Sequence, residues 1–158
     1  AWYKVYYPAE FYATYFSSVV ADFDEETILK GKDAILEKMA LINAKGQAAT
    51  AKEGNEMTVL EVAYEMYARG YEFADIELGH SDAAKFKIKD GKVLLPFMAI
   101  DGMGETAANS FVDEYNIKPY ETIEDIFKRS KISKSLVDTL KTRGILKGLP
   151  ETDQLSFF

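Results

Sequence analysis

The stretch Ile100-Asp101-Gly102-Met103-Gly104-Glu105-Thr106-Ala107-Ala108 determines the fold that we expect for this chain. Two glycines separated by one residue let the backbone turn sharply and approach a ligand with no Cβ in the way. A helical pattern carrying Phe111 and Val112 follows, and the alanine pair before it permits close helix packing. The first amides of such a helix have no intrahelical partner, so they favour an anion such as phosphate. The sequence therefore predicts an anion-binding turn at residues 100–108.

The order apolar-x-Gly-apolar-Gly-x-x-Ala resembles the helix-hairpin-helix motif, which binds the DNA backbone without reading base sequence. The connector Ser130-Lys131-Ile132-Ser133 also lies between two predicted helices and resembles a degenerate second copy. The resemblance implies a paired helix-hairpin-helix unit that contacts duplex DNA. The residues that we expect to contact DNA are Gly102, Met103, Gly104, Glu105, Thr106, Lys131, Ser133, Lys134, Lys141 and Arg143.

Composition narrows the possible function classes. The chain has 158 residues, of which 47% are hydrophobic and 13% aromatic, so one or two folded domains are expected. The absence of cysteine excludes disulfides and thiolate metal sites, and the single histidine, His80, argues against histidine-based metal or triad chemistry. No apolar run reaches membrane-spanning length and no signal peptide is visible. We therefore expect a cytoplasmic protein with no membrane partner and no metal site.

Charge is distributed unevenly along the chain. The net charge of −7 argues against DNA binding by the chain as a whole. Residues 118–148, however, hold eight Lys/Arg and four Asp/Glu, a local balance of +4. This basic segment directly follows the glycine turn, so local charge favours the nucleic-acid interpretation that global charge opposes.

The first half of the chain is predicted to be mainly helical. Pro8 suits the first turn of one helix, and Asp24 is the expected N-cap of a second helix that ends at Gly46. Residues 46–57 lack periodicity and are predicted as a loop. Thr58-Val59-Leu60-Glu61 has the spacing of a capping box and is expected to begin a third helix that stops at Gly70.

The second half combines a small sheet with further helices. Residues 71–78 are predicted as a strand, and Asp90-Gly91 favours a type I′ hairpin turn within residues 86–93. Helices are expected over 105–115, from Thr122, and from Ser133 to Arg143-Gly144. The predicted fold class is mainly α with a small β-hairpin or sheet (α+β).

The end of the chain, Gln154-Leu155-Ser156-Phe157-Phe158, places apolar residues on a segment with no evident core to join. It resembles the clamp-binding motif of bacterial replication proteins, Gln-Leu-x-Leu-Phe, with Phe157 in place of the usual Leu. In that mode Leu155 and the two aromatic residues fill apolar pockets, and Gln154 forms hydrogen bonds beside them. The resemblance implies a sliding-clamp partner for all five residues.

Several segments together resemble the C-terminal end of the PolC-type replicative DNA polymerase III alpha chain of low-GC Gram-positive bacteria and their relatives. These are residues 3–13, 42–46, 96–104, 131–134 and 154–158, in the order of the family. The resemblance implies that residues 1–70 finish the polymerase fingers, residues 71–150 bind primer-template duplex DNA, and residues 151–158 bind the clamp. It also implies a nucleotidyltransferase of the replisome, with Mg²⁺ held by a palm domain upstream and no cofactor in this segment.

Two carboxylate pairs, Asp22 with Asp24 and Asp75 with Glu77, are candidates for polymerase metal ligands, which must hold two ions close together. Asp24 is better explained as a helix cap than as a partner of Asp22, and Asp75 and Glu77 as the solvent face of a strand. The segment is therefore expected to contain no catalytic residue. The family resemblance agrees, because it places the catalytic aspartates upstream.

Two other interpretations remain open. One is a free-standing, non-enzymatic adaptor or repair factor that binds the clamp and DNA; the other is a helical protein-interaction domain whose glycine turn merely packs tightly. The aromatic start Trp2-Tyr3-Lys4-Val5-Tyr6-Tyr7 and the missing Met favour a fragment of a longer polypeptide. Glu105 and Thr106 depart from the helix-hairpin-helix pattern, since a Lys often occupies the position of Thr106 and Glu105 repels phosphate.

Overall fold

The computed structural model describes residues 2–152, which fold mainly into helices with one small sheet. The helices are α1 (Trp2–Tyr6), α2 (Pro8–Ser18), α3 (Glu25–Ile28), α4 (Lys32–Lys45), α5 (Ala51–Ala68), α6 (Glu105–Ile117), α7 (Ile123–Arg129) and α8 (Lys134–Thr142). The strands are β1 (Phe73–Ala74), β2 (Lys87–Lys89) and β3 (Lys92–Leu94), and short 3₁₀ turns cover Val20–Asp22, Gly46–Ala48 and Phe97–Ala99. The predicted α+β class is confirmed.

The sheet has the order β1-β3-β2, with β1 parallel to β3 and β2 antiparallel to it. The β2–β3 connection is the predicted tight hairpin, because Asp90 and Gly91 both adopt positive φ, +52° and +77°. The predicted strand over 71–78 is mostly wrong, since only Phe73 and Ala74 pair with β3. Beyond them the backbone turns at residues 77–81, where the amides of His80 and Ser81 donate to the carbonyl of Glu77.

One hydrophobic core runs through the described residues without a break at residue 70. Its N-terminal part centres on Phe16, Phe23, Phe73 and Phe86, whose ring centroids lie 4.9–5.7 Å apart. Its C-terminal part is lined by Phe97, Phe111, Tyr120, Ile126, Val137, Leu140 and Leu146. The backbone amide of Phe86 also donates to Ser17 Oγ at 2.8 Å, which joins the hairpin to α2. The proposed fingers and DNA-binding segments thus share their packing.

The N-terminal helices differ from their predicted boundaries. The single helix expected from Asp24 to Gly46 is two helices, because Gly31 adopts a φ of +104° that an α-helix cannot contain. The loop predicted over 46–57 is wrong, since α5 begins at Ala51. Its capping box is Thr50 with Glu53 rather than Thr58 with Glu61. Both pairs have the same spacing, and the motif alone does not say which of them starts the helix.

The C-terminal helices agree with prediction, and their caps explain why. Thr122 and Ser133 are the N-caps of α7 and α8, and each hydroxyl accepts a hydrogen bond from the third residue of its helix. Residue 151, where the tail was predicted to begin, is bound to this unit. The amides of Ile123 and Glu124 donate to the carbonyls of Pro150 and Glu151 at 2.9 and 3.1 Å. No helix within residues 2–152 is long and apolar enough to cross a membrane.

Candidate nucleic-acid interface

The first hairpin, residues 100–104, connects the 3₁₀ turn Phe97–Ala99 to α6. Gly102 adopts a φ of +86° and uses the conformational freedom of glycine to make the turn, whereas Gly104 has a φ of −76° and a ψ of 171°, which any residue can adopt. Gly104 is the N-cap of α6 and has no side chain with which to cap it. Met103 is buried, which leaves Gly102, Gly104, Glu105 and Thr106 as the exposed predicted DNA contacts of this hairpin.

The second hairpin, residues 130–133, connects α7 to α8. Ser133 is the N-cap of α8 with a φ of −77° and a ψ of 161°, close to the values at Gly104. Ile132 is buried, whereas Lys131, Ser133 and Lys134 are exposed. Neither Lys131 nor Lys134 has a side-chain ion pair with any residue in the part of the chain that the structure describes.

The two hairpins are structural copies with an offset of 29 residues. At this offset the N-cap Gly104 corresponds to Ser133, and the buried Met103 corresponds to the buried Ile132. The correspondence continues into the helices, where buried Ala108 and Phe111 match buried Val137 and Leu140. The proposal from sequence that Ser130–Ser133 is a second copy therefore agrees with the geometry, although the element before the first hairpin is a 3₁₀ turn rather than a full helix.

The two copies pack against each other reciprocally. A Cβ at Gly102 would lie 3.8 Å from Leu136 Cδ2 in α8, so the first hairpin rests on the second helix-hairpin-helix copy. In return, the backbone amide of Lys131 donates to Ser110 Oγ of α6 at 3.1 Å. Each hairpin is thus supported by the helix that follows the other.

The two hairpins have opposite electrostatic surroundings. The first opens onto a cleft of about 610 Å³ whose titratable lining is Asp22, Asp24, Glu25, Glu26, Glu56, Asp101, Lys38 and Lys52. Burial opposes ionisation of Asp24, but hydrogen bonds from Lys38 and Thr27 outweigh it and hold the pKa of Asp24 below its usual value. The cleft therefore stays negatively charged at neutral pH and repels phosphate. Sequence analysis missed this cleft, because its acidic residues come from segments far apart in the chain.

Most cations of the basic segment are already paired. Lys118, Lys128, Arg129, Lys141 and Arg143 each lie within 3.4 Å of a carboxylate oxygen. Within residues 2–152, the other three cations of the segment, Lys131, Lys134 and Lys147, have no ion pair. Two of these three, Lys131 and Lys134, lie at the second hairpin, so most of the unpaired positive charge of the segment is there.

Two of the predicted DNA contacts are among the paired cations. Lys141 donates to Glu151 at 2.6 Å, and this hydrogen bond raises the pKa of Lys141. Arg143 lies between two carboxylates: Nη1 is 2.8 Å from Glu25 Oε2, and Nη2 donates to Asp75 Oδ1. Burial raises the pKa of Glu25, although the Arg143 charge opposes that shift. The guanidinium of Arg143 is therefore bound to two carboxylates of the protein itself.

The carboxylates considered as metal ligands have structural partners. Asp24 caps α3, as predicted, by accepting a hydrogen bond from the amide of Thr27. Asp75 and Glu77 lie beyond β1 rather than on a strand face, and they pair with Arg143 and Lys89. Within residues 2–152, no group of three or more His, Asp or Glu side chains is arranged to hold a metal ion. The predicted clamp contacts Gln154, Leu155, Ser156, Phe157 and Phe158 lie outside the described residues.

Comparisons with known proteins agree with this geometry. The family described as "Helix-hairpin-helix motif" matches residues 70–154. The whole chain is 44% identical to the DNA polymerase III PolC-type of Caldanaerobacter subterraneus subsp. tengcongensis, 42% to that of Clostridium perfringens and 39% to that of Thermotoga maritima. These matches cover 100% of this chain but only 11–12% of the relatives, in their C-terminal part. The chain thus belongs to the helix-hairpin-helix family and is similar over its whole length to the C-terminal part of PolC-type DNA polymerases III.

Proposed function

We propose that this chain is the C-terminal, duplex-DNA-binding part of a PolC-type replicative DNA polymerase. In this role it holds primer-template DNA by its phosphates, and other domains of the same polypeptide carry out nucleotidyl transfer with Mg²⁺. The observation that carries the proposal is the second hairpin, where exposed and unpaired Lys131 and Lys134 flank the N-terminus of α8. Cations beside a helix N-terminus provide charge and amide donors for a phosphate at one place.

Full-length similarity favours the polymerase over the free-standing adaptor. The identity of 44% extends over all 158 residues, including the helices before the helix-hairpin-helix match begins at residue 70. An adaptor would need the helix-hairpin-helix unit and the tail, but it has no evident need for this particular N-terminal half. The shared core also argues that the N-terminal helices and the DNA-binding unit act as one body.

Within the DNA-binding unit, the second hairpin provides most of the phosphate contact. The first hairpin has the same backbone, but Asp101, Glu105 and the acidic cleft oppose an anion there. Its role is to support α8 through the contact of Gly102 with Leu136. Binding should therefore be weak, without sequence preference, and strongly dependent on salt.

Titration of a labelled DNA duplex against the protein at several salt concentrations tests this function. Lys131→Ala/Lys134→Ala should weaken binding and flatten the slope of log K against log salt by about 1.8, because each phosphate contact contributes about −0.9. Lys30→Ala/Lys32→Ala is a matched control, since it removes the same charge from two exposed lysines that belong to neither hairpin. The proposal fails if the two double variants behave alike, or if the unaltered protein does not bind duplex DNA.

We extend the proposal to the tail, residues 154–158, as a tether to the bacterial sliding clamp. A short peptide that orders on binding loses entropy, so the isolated affinity should be modest, about micromolar. The tether gains its effect because DNA and clamp are then held together, which raises the effective concentration of each.

Surface plasmon resonance on immobilised clamp tests the tail. Deletion of Gln154–Phe158 should abolish binding and leave the affinity for clamp-free DNA nearly unchanged. A variant with the same five residues in scrambled order controls for tail length and composition. Clamp binding by the deletion variant equal to that of the intact chain would rule the tether out.

A further inference from the structure

The side chain of Arg143 is held at the junction between the N-terminal helices and the DNA-binding unit. It is only 17% exposed, and its partner Glu25, in the first turn of α3, is 15% exposed. The second partner, Asp75, follows β1. Two carboxylates around one guanidinium give this cluster a formal charge of −1. A DNA phosphate would therefore be repelled there rather than attracted.

Glu25 and Asp75 both lie in segments with local hydrogen bonds. Glu25 lies in a helix whose N-cap, Asp24, accepts a hydrogen bond from the amide of Thr27 at 3.3 Å. Asp75 Oδ1 also accepts from the amide of Ile76 at 2.7 Å. The guanidinium of Arg143 is thus bound to carboxylates of two separate segments, which favours a fixed orientation of the segment that carries it.

Arg143 is also well placed to control α8. It is the C-cap of that helix, whereas Ser133 and Lys134 lie at the other end. At about 1.5 Å per residue, the nine residues of α8 separate the two ends by about 13 Å. Arg143 therefore lies at the end of α8 opposite to the phosphate expected at the second hairpin, and it holds that end of the helix.

The hydrogen-bond geometry of the cluster also favours an orienting role. Nη1 is 2.8 Å from Glu25 Oε2 but forms no hydrogen bond, although it is buried. A buried ion pair with an incomplete set of hydrogen bonds is a poor source of stability, because the loss of hydration offsets the attraction. Such pairs are better attested as devices that fix register or orientation.

We propose that Arg143 is a positioning residue: bound to Glu25 and Asp75, it holds α8 so that the second hairpin faces DNA, and it does not contact DNA itself. This inference rests on the DNA-binding function proposed above. It departs from the sequence-based expectation, which placed Arg143 among the phosphate contacts. The two roles predict opposite effects when the carboxylates are neutralised.

The test compares Glu25→Gln, Asp75→Asn and Arg143→Gln with Lys134→Ala in the DNA titration over a range of salt. If Arg143 positions α8, Glu25→Gln and Arg143→Gln should each weaken DNA binding by about threefold to tenfold. Both variants should keep the salt slope of the unaltered protein, while Lys134→Ala lowers it by about 0.9. Because Glu25→Gln removes a negative charge, a loss of affinity in this variant cannot come from simple electrostatics.

Three outcomes would overturn the inference. The first is stronger DNA binding by Glu25→Gln or Asp75→Asn. The second is a smaller salt slope in Arg143→Gln. The third is an affinity for DNA that is unchanged in both single variants, Glu25→Gln and Arg143→Gln. A failure of the unaltered protein to bind duplex DNA would instead overturn the proposed function and, with it, this role of Arg143.

Hydrogen exchange in the DNA-free protein provides a second readout that does not depend on DNA. Amides of α8 should exchange faster in Glu25→Gln and Arg143→Gln than in the unaltered protein, and Lys134→Ala should leave them unchanged. Equal exchange in all four proteins would overturn the inference. If Arg143→Gln does not fold, Glu25→Gln still decides the question, because Gln has nearly the shape of Glu.

Discussion

The two hairpins share a backbone and differ in charge. Their N-caps agree within 1° in φ and 10° in ψ, and both bury an apolar residue just before the cap. At the 29-residue offset, however, exposed Gly102 corresponds to Lys131, and Glu105 corresponds to Lys134. The same backbone at the helix start thus occurs with opposite local charge, so the two properties can vary independently.

The two helix starts also differ in whether a side chain caps their first amides. The hairpin with the less favourable charge, the first, is the one whose amides have no side-chain cap. Ser133 Oγ accepts the amide hydrogen of Leu136 at 3.3 Å, so one of the first amides of α8 is already satisfied. Gly104 offers no such acceptor, which leaves the first turn of α6 without a side-chain cap. In the proposed function, the second hairpin therefore depends more on lysine charge, whereas the first has amides without a side-chain cap beside carboxylates.

The largest effects on the free energy of unfolding are expected from substitutions in the cores of the two copies. Phe111 and Leu140 are corresponding, fully buried residues, but the Phe111 ring also lies 5.0 Å from both Phe97 and Tyr120. We expect Phe111→Ala to cost about 4 kcal/mol and Leu140→Ala about 3 kcal/mol in the free energy of unfolding. Urea denaturation measures both. A larger loss in Leu140→Ala would show that the second copy, not the first, is the main support.

Gly102 and Gly104 should respond differently to substitution, because only Gly102 has a positive φ. Gly102→Val forces a β-branched residue to a φ of +86° and should cost about 2 kcal/mol. The space is not the obstacle, since the nearest side-chain atom would be 3.8 Å from the new Cβ. Thermal unfolding should show a smaller loss for Gly102→Asn, because Asn tolerates positive φ. Equal losses for Val and Asn would point to packing rather than backbone strain.

The sequence predicted local features well and distant ones poorly. Gly102, the Asp90-Gly91 turn and the caps Thr122 and Ser133 were predictable, because each depends on the conformational preference of one or two residues. The start of α5 at Ala51 was not, since two capping boxes compete and tertiary packing decides between them. The contacts of Arg143 with Glu25 and Asp75 were also not predictable from the sequence, because the three residues are far apart in the chain.

Exchanging the charges of corresponding positions tests whether charge alone makes the two hairpins differ in DNA binding. Lys134→Glu should lower the affinity for duplex DNA about tenfold, through loss of one contact and added repulsion. Glu105→Lys should raise it by a smaller factor, because Asp101 and the acidic cleft remain. DNA titration at low salt measures both. If Glu105→Lys has no effect while Lys134→Glu weakens binding, the first hairpin does not face DNA at all.

The smallest expected effect concerns the caps themselves. Gly104→Ser gives the first hairpin the N-cap of the second, and a Cβ at Gly104 would meet no atom within 4 Å. Since Gly104 already has the extended backbone of Ser133, the new hydroxyl can accept an amide hydrogen of α6 without strain. We expect a gain of about 0.3 kcal/mol in the free energy of unfolding, and a loss of similar size for the reverse change, Ser133→Gly. Thermal unfolding of the two variants measures this pair of opposite shifts. A Gly104→Ser protein less stable than the original would show that the new hydroxyl does not cap α6.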